Sequence, residues 1–171
     1  MKEFRRIKRT LTCDNVLSVT IDFVVSIPVL LRALVKPKTS AALREKIMLG
    51  VISINNCRLC EWGHTHWAMA KGVPLEEVNQ ILGHDLEALQ AGNPAEAAAI
   101  LFARHCAENL ERIDPESVAN LRQFFSDAEV AEILAYIRAI TLGSLTGNTL
   151  HVILGRLRRF FSSKQSPQPH Q

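Results

Sequence analysis

Two cysteines and a histidine in residues 55–67 have the spacing of a redox-active thiol pair beside a base. Two residues separate Cys57 from Cys60, and His64 follows Cys60 by four positions. Residues three or four apart lie on one face of a helix, so a helical segment would place both thiols and the imidazole on one stripe. A Cys-x-x-Cys pair near a helix start can lower the pKa of one thiol, and His64 can accept the proton that this thiol releases.

The chemistry that these groups predict is a redox cycle of two thiols. A peroxide oxidises a thiolate to a sulfenic acid, and a second thiol condenses with the sulfenic acid to form a disulfide. A dithiol partner then restores both thiols by exchange. Two thiols and one base are sufficient for this cycle, which requires no metal and no organic cofactor.

Two other interpretations of the cysteines stay open at this point. Cys-x-x-Cys is also a zinc half-site, and His64 and His66 could complete four ligands in a cramped arrangement. The remaining cysteines, Cys13 and Cys106, are isolated in the sequence and add no second half-site. The cysteines could instead be inert core residues, as free cysteines often are.

A fourth residue extends the pattern and gives it a family resemblance. Glu45 stands twelve residues before Cys57, and Cys60 and His64 follow. In this spacing the chain resembles the carboxymuconolactone decarboxylase superfamily and, within it, the AhpD-like alkylhydroperoxidase branch. The resemblance covers about residues 27–82 well and residues 95–150 more loosely.

The resemblance implies a role for each residue of the pattern. Cys60 corresponds to the attacking thiolate, and Cys57 corresponds to a more accessible thiol that closes the disulfide. His64 and Glu45 correspond to the base and its orienting carboxylate in a proton relay. Peroxidase members of the family carry a histidine just before the second cysteine, where this chain has Leu59.

The function predicted on these grounds is that of a thiol-dependent antioxidant oxidoreductase. Its partners would be a hydroperoxide substrate and a protein or small-molecule thiol reductant. The resemblance also implies a homo-oligomer, a trimer or hexamer, with contacts from the apolar segments 16–35 and 142–154. Two alternatives are a decarboxylase-like lyase acting on a carboxylated lactone, and a non-enzymatic helical module, either zinc-stabilised or a structural oligomer.

Composition and charge exclude several other classes. The net charge of +3 is too small to argue for nucleic-acid binding, and the basic runs 5–9 and 156–159 are typical of solvated surface. Four cysteines, two of them in the motif, fit the reducing cytoplasm. The apolar run from Val16 to Leu31 is interrupted by Asp22 and Pro28, so we expect a buried helix or subunit contact there and no membrane span.

The sequence predicts that the elements around the motif are all helices. We expect an all-α bundle of about seven to nine helices, with a basic arm over residues 1–12, a helical domain over 13–161 and a disordered tail over 162–171. Ser40 or Thr39 would cap the helix that carries Glu45, and Pro28 would begin or kink an earlier helix. Residues 129–134 echo residues 77–82, which suggests an internal duplication of a helical unit.

Overall fold

The computed structural model describes residues 8–85, 92–110 and 113–163, except for the side chains of residues 161–163. The helices in these ranges are α1 (Val16–Val35), α2 (Ala41–Asn55), α3 (Arg58–Ala70), α4 (Leu75–Gly83), α5 (Pro94–Glu108), α6 (Pro115–Leu121) and α7 (Asp127–Ser163). The described part of the chain contains no strand, and the prediction of an all-α bundle is confirmed.

The divisions between arm, domain and tail stay a prediction. Residues 1–7 of the predicted arm and 164–171 of the predicted tail lie outside the described residues. Within the arm, the Arg9 guanidinium donates to the carbonyl oxygens of Ala107 and Glu108, and Leu11 N–H donates to Thr149 Oγ1 at 2.9 Å. This part of the arm is therefore hydrogen-bonded to α5 and α7.

Short polar side chains fix where the helices begin. Ser40 Oγ accepts a hydrogen bond from Leu43 N–H at 3.1 Å, which satisfies one of the donors that a helix start leaves open. Asp114 caps α6 in the same way. Ser126 and Glu129 form a reciprocal capping box at the start of α7, with Ser126 N–H donating to the Glu129 carboxylate at 2.8 Å. The predicted cap at Ser40 is confirmed.

Helix α2 lies at the centre of the bundle and contacts α3, α4, α5 and α7. Its apolar side chains Ile47, Leu49 and Val51 are fully buried. Gly50 allows a close approach to α5, because a Cβ at this position would lie 3.3 Å from the Ile100 carbonyl oxygen. The helix that precedes the cysteine motif is thus fixed by packing in the hydrophobic core.

Helix α1 packs along α7 but leaves much of its apolar surface exposed. Pro28 neither begins nor ends a helix: it lies inside the single helix Val16–Val35. That helix has 20 residues and so extends beyond the apolar run 16–31, and the absence of a membrane span stays a prediction. Val16–Val35 and Asp127–Phe160 both have the length and composition of a membrane span, as core helices and signal sequences also can.

A buried carboxylate ties the turn before α2 to α7. Glu132 accepts hydrogen bonds from the backbone N–H groups of Lys38 and Thr39, from Thr39 Oγ1 at 2.7 Å and from Tyr136 Oη at 2.9 Å. Burial raises the pKa of Glu132, but these donors outweigh it and hold the pKa below 4.5. The segment that echoes it in sequence, residues 77–82, lies in α4, and the internal duplication stays a prediction.

Candidate active site

The motif begins at a sharp break between two helices. Asn56 adopts a left-handed conformation with φ of 58°, which ends α2. Cys57 follows as the N-cap of α3, and its sulfur accepts a hydrogen bond from Cys60 N–H at 3.4 Å. The predicted helical stripe that included Cys57 is therefore wrong at its first member, because Cys57 precedes the helix that carries Cys60 and His64.

The two sulfur atoms nevertheless meet, since Cys57 and Cys60 form a disulfide with their Cα atoms 5.3 Å apart. The Cys57 side is the more deeply buried, at 1% exposure, whereas Cys60 is partly exposed. The expectation that Cys57 is the more accessible thiol was therefore wrong. As the N-cap, Cys57 points its sulfur into the start of α3, and that position buries it.

His64 lies one turn after Cys60 and is paired with the glutamate from α2. His64 Nδ1 lies 2.8 Å from Glu45 Oε2, and both side chains are buried. A carboxylate can only accept, so Nδ1 carries the proton toward Glu45, and in the neutral imidazole this pairing leaves the lone pair on Nε2. The imidazole also meets the Trp67 ring edge-on, with ring centroids 4.9 Å apart. The family resemblance implied this Glu45–His64 pairing.

The carboxylate itself is held ionised by two neighbours. Burial raises the pKa of Glu45, but hydrogen bonds and charge from His64 and Arg44 outweigh it and hold the pKa below 4.5. Arg44 contributes through Nη2, 3.0 Å from Glu45 Oε1, and through Nε at 3.1 Å. Sequence reasoning missed this role of Arg44, because adjacent residues on a helix do not normally face each other.

A buried amide positions the break before the motif. Asn148 Nδ2 donates to the carbonyl oxygen of Asn55 at 2.7 Å and to that of Arg9 at 2.8 Å. Asn55 Nδ2 in turn donates to Ser144 Oγ at 2.8 Å. The hydrogen bonds of Asn148 therefore fix the last residue of α2 and so the turn that leads to Cys57.

Helix α7 also passes directly over the disulfide, at a residue without a side chain. A Cβ placed on Gly147 would lie 3.4 Å from Cys57 Sγ and 3.9 Å from Cys60 Sγ. The sequence showed Gly147 only as a loosening of a long helix. Its contact with the sulfur atoms joins residues 87 or more positions apart, so no local pattern could have indicated it.

The other chemically active side chains lie apart from this arrangement. Burial raises the pKa of the Cys106 thiol to about 12, although the Arg138 charge acts in the opposite direction. Cys13 is exposed and unpaired, and His66 Nδ1 lies 2.6 Å from the Trp62 carbonyl oxygen on the exposed side of α3. Among the described residues, no group of three or more histidine, cysteine or acidic side chains is placed to hold a metal ion.

A cavity of about 700 Å³ opens beside the Glu45–His64 pair. Neither cysteine of the disulfide is among its lining residues, whereas Glu45, His64 and Arg44 are. The remaining polar lining comes from Lys71 and Tyr136. Most of the wall is apolar and comes from Phe23, Ile27, Leu30, Leu34, Met48 and Trp67. Sequence analysis gave no sign of this cavity, because four separate helices, α1, α2, α3 and α7, contribute to it.

Comparison with known proteins identifies the family of the segment that carries these residues. Residues 29–105 match the model of the carboxymuconolactone decarboxylase family, so the superfamily indicated by the sequence is confirmed. No curated protein and no solved structure matches the chain. The matched segment runs from α1 to α5 and includes Glu45, both cysteines of the disulfide and His64.

Proposed function

We propose that this chain, whose residues 29–105 are a carboxymuconolactone decarboxylase family domain, is an AhpD-like thiol oxidoreductase. Its activity is the reduction of hydroperoxides or dithiol–disulfide exchange with a thiol partner. One observation carries the proposal: the Cys57–Cys60 disulfide lies at the start of α3, and the buried His64–Glu45 pair lies one helical turn beyond it. The family includes both decarboxylases and alkylhydroperoxidases, and a redox-active pair of thiols belongs to the second chemistry.

In the oxidative half of the cycle, Cys60 is the attacking thiolate. Its sulfur attacks the terminal oxygen of the hydroperoxide, the O–O bond breaks, and the alkoxide takes a proton and leaves as the alcohol. The Cys60 sulfenic acid then reacts with the Cys57 thiol, which forms the S–S bond and releases water. The partial exposure of Cys60 supports this order, because a peroxide must reach the sulfur that it oxidises.

In the reductive half, a dithiol partner restores both thiols. Its thiolate attacks the more exposed Cys60 sulfur, and Cys57 leaves as a thiolate. The leaving sulfur lies at the N-terminus of α3 and accepts the Cys60 N–H, a position that favours negative charge. The second thiol of the partner then attacks the partner's own sulfur in the mixed disulfide with Cys60. Cys60 leaves as a thiolate, and the partner dissociates with an internal disulfide.

His64 accepts and returns the protons in both half-reactions of the cycle. Because Glu45 holds Nδ1 as a donor, Nε2 is available to accept the thiol proton and to return it to the alkoxide. Leu59 occupies the position where peroxidase members of the family carry a further histidine, so here the relay consists of Glu45 and His64 alone. Glu45 is a positioning residue, since it acts through the imidazole.

Thiol titration before and after peroxide treatment tests the proposal. Fully reduced wild-type protein should lose two thiols per chain, and a dithiol reductant should restore them. Cys60→Ser should abolish hydroperoxide consumption, whereas Cys13→Ser should leave it unchanged because that thiol is exposed and outside the site. Wild-type activity in Cys60→Ser would show that the assigned nucleophile is wrong.

We also propose that the protein is a cytoplasmic homo-oligomer, a trimer or hexamer. The support is apolar surface on α1 outside the cavity lining, where Leu17 is 69% exposed and Val35 is 78% exposed, and on α7 near Leu154. Contiguous apolar surface of this kind is typical of subunit contacts. Sedimentation equilibrium should give three or six chains per particle, and a single chain per particle at micromolar concentration would contradict the proposal.

A further inference from the structure

We propose that the cavity beside the Glu45–His64 pair is a binding site for an amphipathic anion with one apolar tail, such as a medium-chain carboxylate. The cavity has a volume of about 700 Å³, which falls within the range of small-molecule sites. Neither disulfide sulfur lines it, so a molecule bound there need not contact the reacting sulfur atoms. The site therefore goes beyond the proposed function.

The apolar walls of the cavity favour an alkyl tail. They combine aliphatic side chains from the inner side of α1 with Met48 of α2 and the indole of Trp67. Few polar atoms interrupt this surface, so an alkyl chain would lose contact with water along most of its length. Met48 is flexible and unbranched, and this flexibility suits a wall that accommodates tails of different shape.

The charges at the cavity select the head group. Two permanent cations, Arg44 and Lys71, and one anion, Glu45, line it, which leaves one positive charge over when His64 is neutral. Arg44 is already bonded to Glu45. Lys71 is exposed and forms no ion pair with any residue that the structure describes. The Lys71 ammonium is therefore available to form an ion pair with an anionic head group.

The remaining polar group does not compete for the anion. Burial, and then the hydrogen bond to Glu132, raise the pKa of Tyr136 to about 12, so the phenol stays neutral. A second copy of this chain is a poorer occupant of the cavity itself than an amphiphile. An apolar helix inserted there would cover Lys71 without supplying an anion, and a cation buried without a partner is costly.

Isothermal titration calorimetry with decanoate, decanol and acetate tests the site. The Cys57→Ser/Cys60→Ser double variant serves as the background, since it cannot cycle. We expect saturable binding of one decanoate per chain, weaker binding of decanol and no measurable binding of acetate. Lys71→Gln should weaken decanoate binding about fivefold, the effect of losing one partly exposed ion pair, and should leave decanol binding unchanged.

Two further variants separate the head from the tail. Arg58→Gln removes the same charge from the other end of α3, roughly 20 Å away, and should leave decanoate binding unchanged. Leu34→Ser shortens a wall side chain that is 78% exposed and tolerant of change, and it should weaken decanoate and decanol alike. Absence of saturable decanoate binding, or equal losses in Lys71→Gln and Arg58→Gln, would overturn the proposal.

The same measurements keep this inference distinct from the proposed function. If decanoate binds but the wild-type protein consumes no peroxide, the binding site is supported and the proposed peroxidase function is wrong. If the protein consumes peroxide but binds no decanoate, the peroxidase function is supported and the binding site is wrong.

Discussion

Two places in this molecule put a cysteine near a histidine, and only one of them has the arrangement for redox chemistry. At the start of α3, Cys60 precedes His64 by one helical turn, and Glu45 of α2 holds the imidazole. In the middle of α5, His105 and Cys106 are adjacent, so their side chains leave the helix in different directions. Burial raises the pKa of Cys106 to about 12.

The difference between the two places lies in backbone context rather than in residue type. The α3 pair occupies a helix N-terminus, where the backbone N–H of Cys60 reaches the sulfur of Cys57. Cys106 occupies a helix interior, where the backbone N–H groups are already used within the helix. A thiol becomes reactive where donors and a base are available to its anion, and it becomes inert where apolar packing surrounds it.

The largest expected contrast is in alkylation. In fully reduced protein at pH 7, iodoacetamide should modify Cys60 at least about 10³-fold faster than Cys106, because a thiol with a pKa near 12 is almost never ionised at that pH. Peptide mass spectrometry over time measures both rates in one sample. Unfolding in guanidinium should remove most of the difference, and comparable rates in the folded protein would contradict the comparison.

The second prediction concerns the carboxylate that distinguishes the α3 site. Glu45→Gln keeps the shape of the side chain but removes the charge that orients and stabilises His64, so peroxide consumption should fall about 10²-fold. The pH profile should also change, which simple loss of packing would not cause. Stopped-flow kinetics at several pH values measures both effects.

The matched control is the other buried glutamate with a lowered pKa. Glu132→Gln should lower the free energy of unfolding by about 2–3 kcal/mol, because Glu132 accepts several buried hydrogen bonds, yet it should retain activity per folded molecule. If the Glu132 variant loses as much activity as the Glu45 variant, then Glu45 acts only through the fold.

A smaller effect is expected where α7 passes over the disulfide. Gly147→Ala places a methyl group 3.4 Å from Cys57 Sγ, which the joined sulfurs tolerate. Two separate thiols occupy more room, so the variant should shift the thiol–disulfide equilibrium toward the disulfide by about three- to tenfold.

Gly143→Ala provides the control for this substitution. It lies on the same helix and has the same change in helix propensity, but its new Cβ would meet nothing within 4 Å. Equilibration of both variants with thiol buffers of known potential measures the shift. Equal equilibria in the two variants would show that α7 does not restrict the sulfurs.

The smallest predicted effect is in acid stability. The pKa of Glu45 is lower in the folded protein than its ordinary value of 4.5, so the stabilisation that its charge provides is complete above pH 4.5. That stabilisation declines as the pH falls through the folded value. The difference in unfolding free energy between wild type and Glu45→Gln should therefore be constant above pH 5 and narrow below pH 4.5. A difference that widens on acidification would reverse the sign of the predicted shift.

Local pattern determined the helices and the chemistry that the site could perform. Ser40, Asp114 and the Ser126–Glu129 box mark helix starts, because capping depends on residues within one turn. The spacing of Cys57, Cys60 and His64 predicted dithiol chemistry, and the family resemblance added Glu45. The structure brings Glu45 to His64 and Cys57 to Cys60.

Local pattern was less reliable at the boundaries of those elements. Pro28 suggested a helix start or kink. It lies inside α1 and begins no helix, and the kink stays a prediction. Cys57 was expected on the helix and to be the more accessible thiol. Asn56 instead turns left-handed just before it, and Cys57 becomes a buried N-cap. A single-residue change in backbone conformation reverses the exposure of the two sulfurs, and spacing does not encode it.

Only the tertiary structure decided what surrounds the site. Gly147 over the sulfurs, Asn148 at the end of α2 and Lys71 at the cavity come from elements far apart in sequence. Sequence spacing fixes neighbours within a helix, because the helical repeat is constant. Neighbours across helices depend on how the helices pack, which is set by the whole core around α2 and not by any short segment.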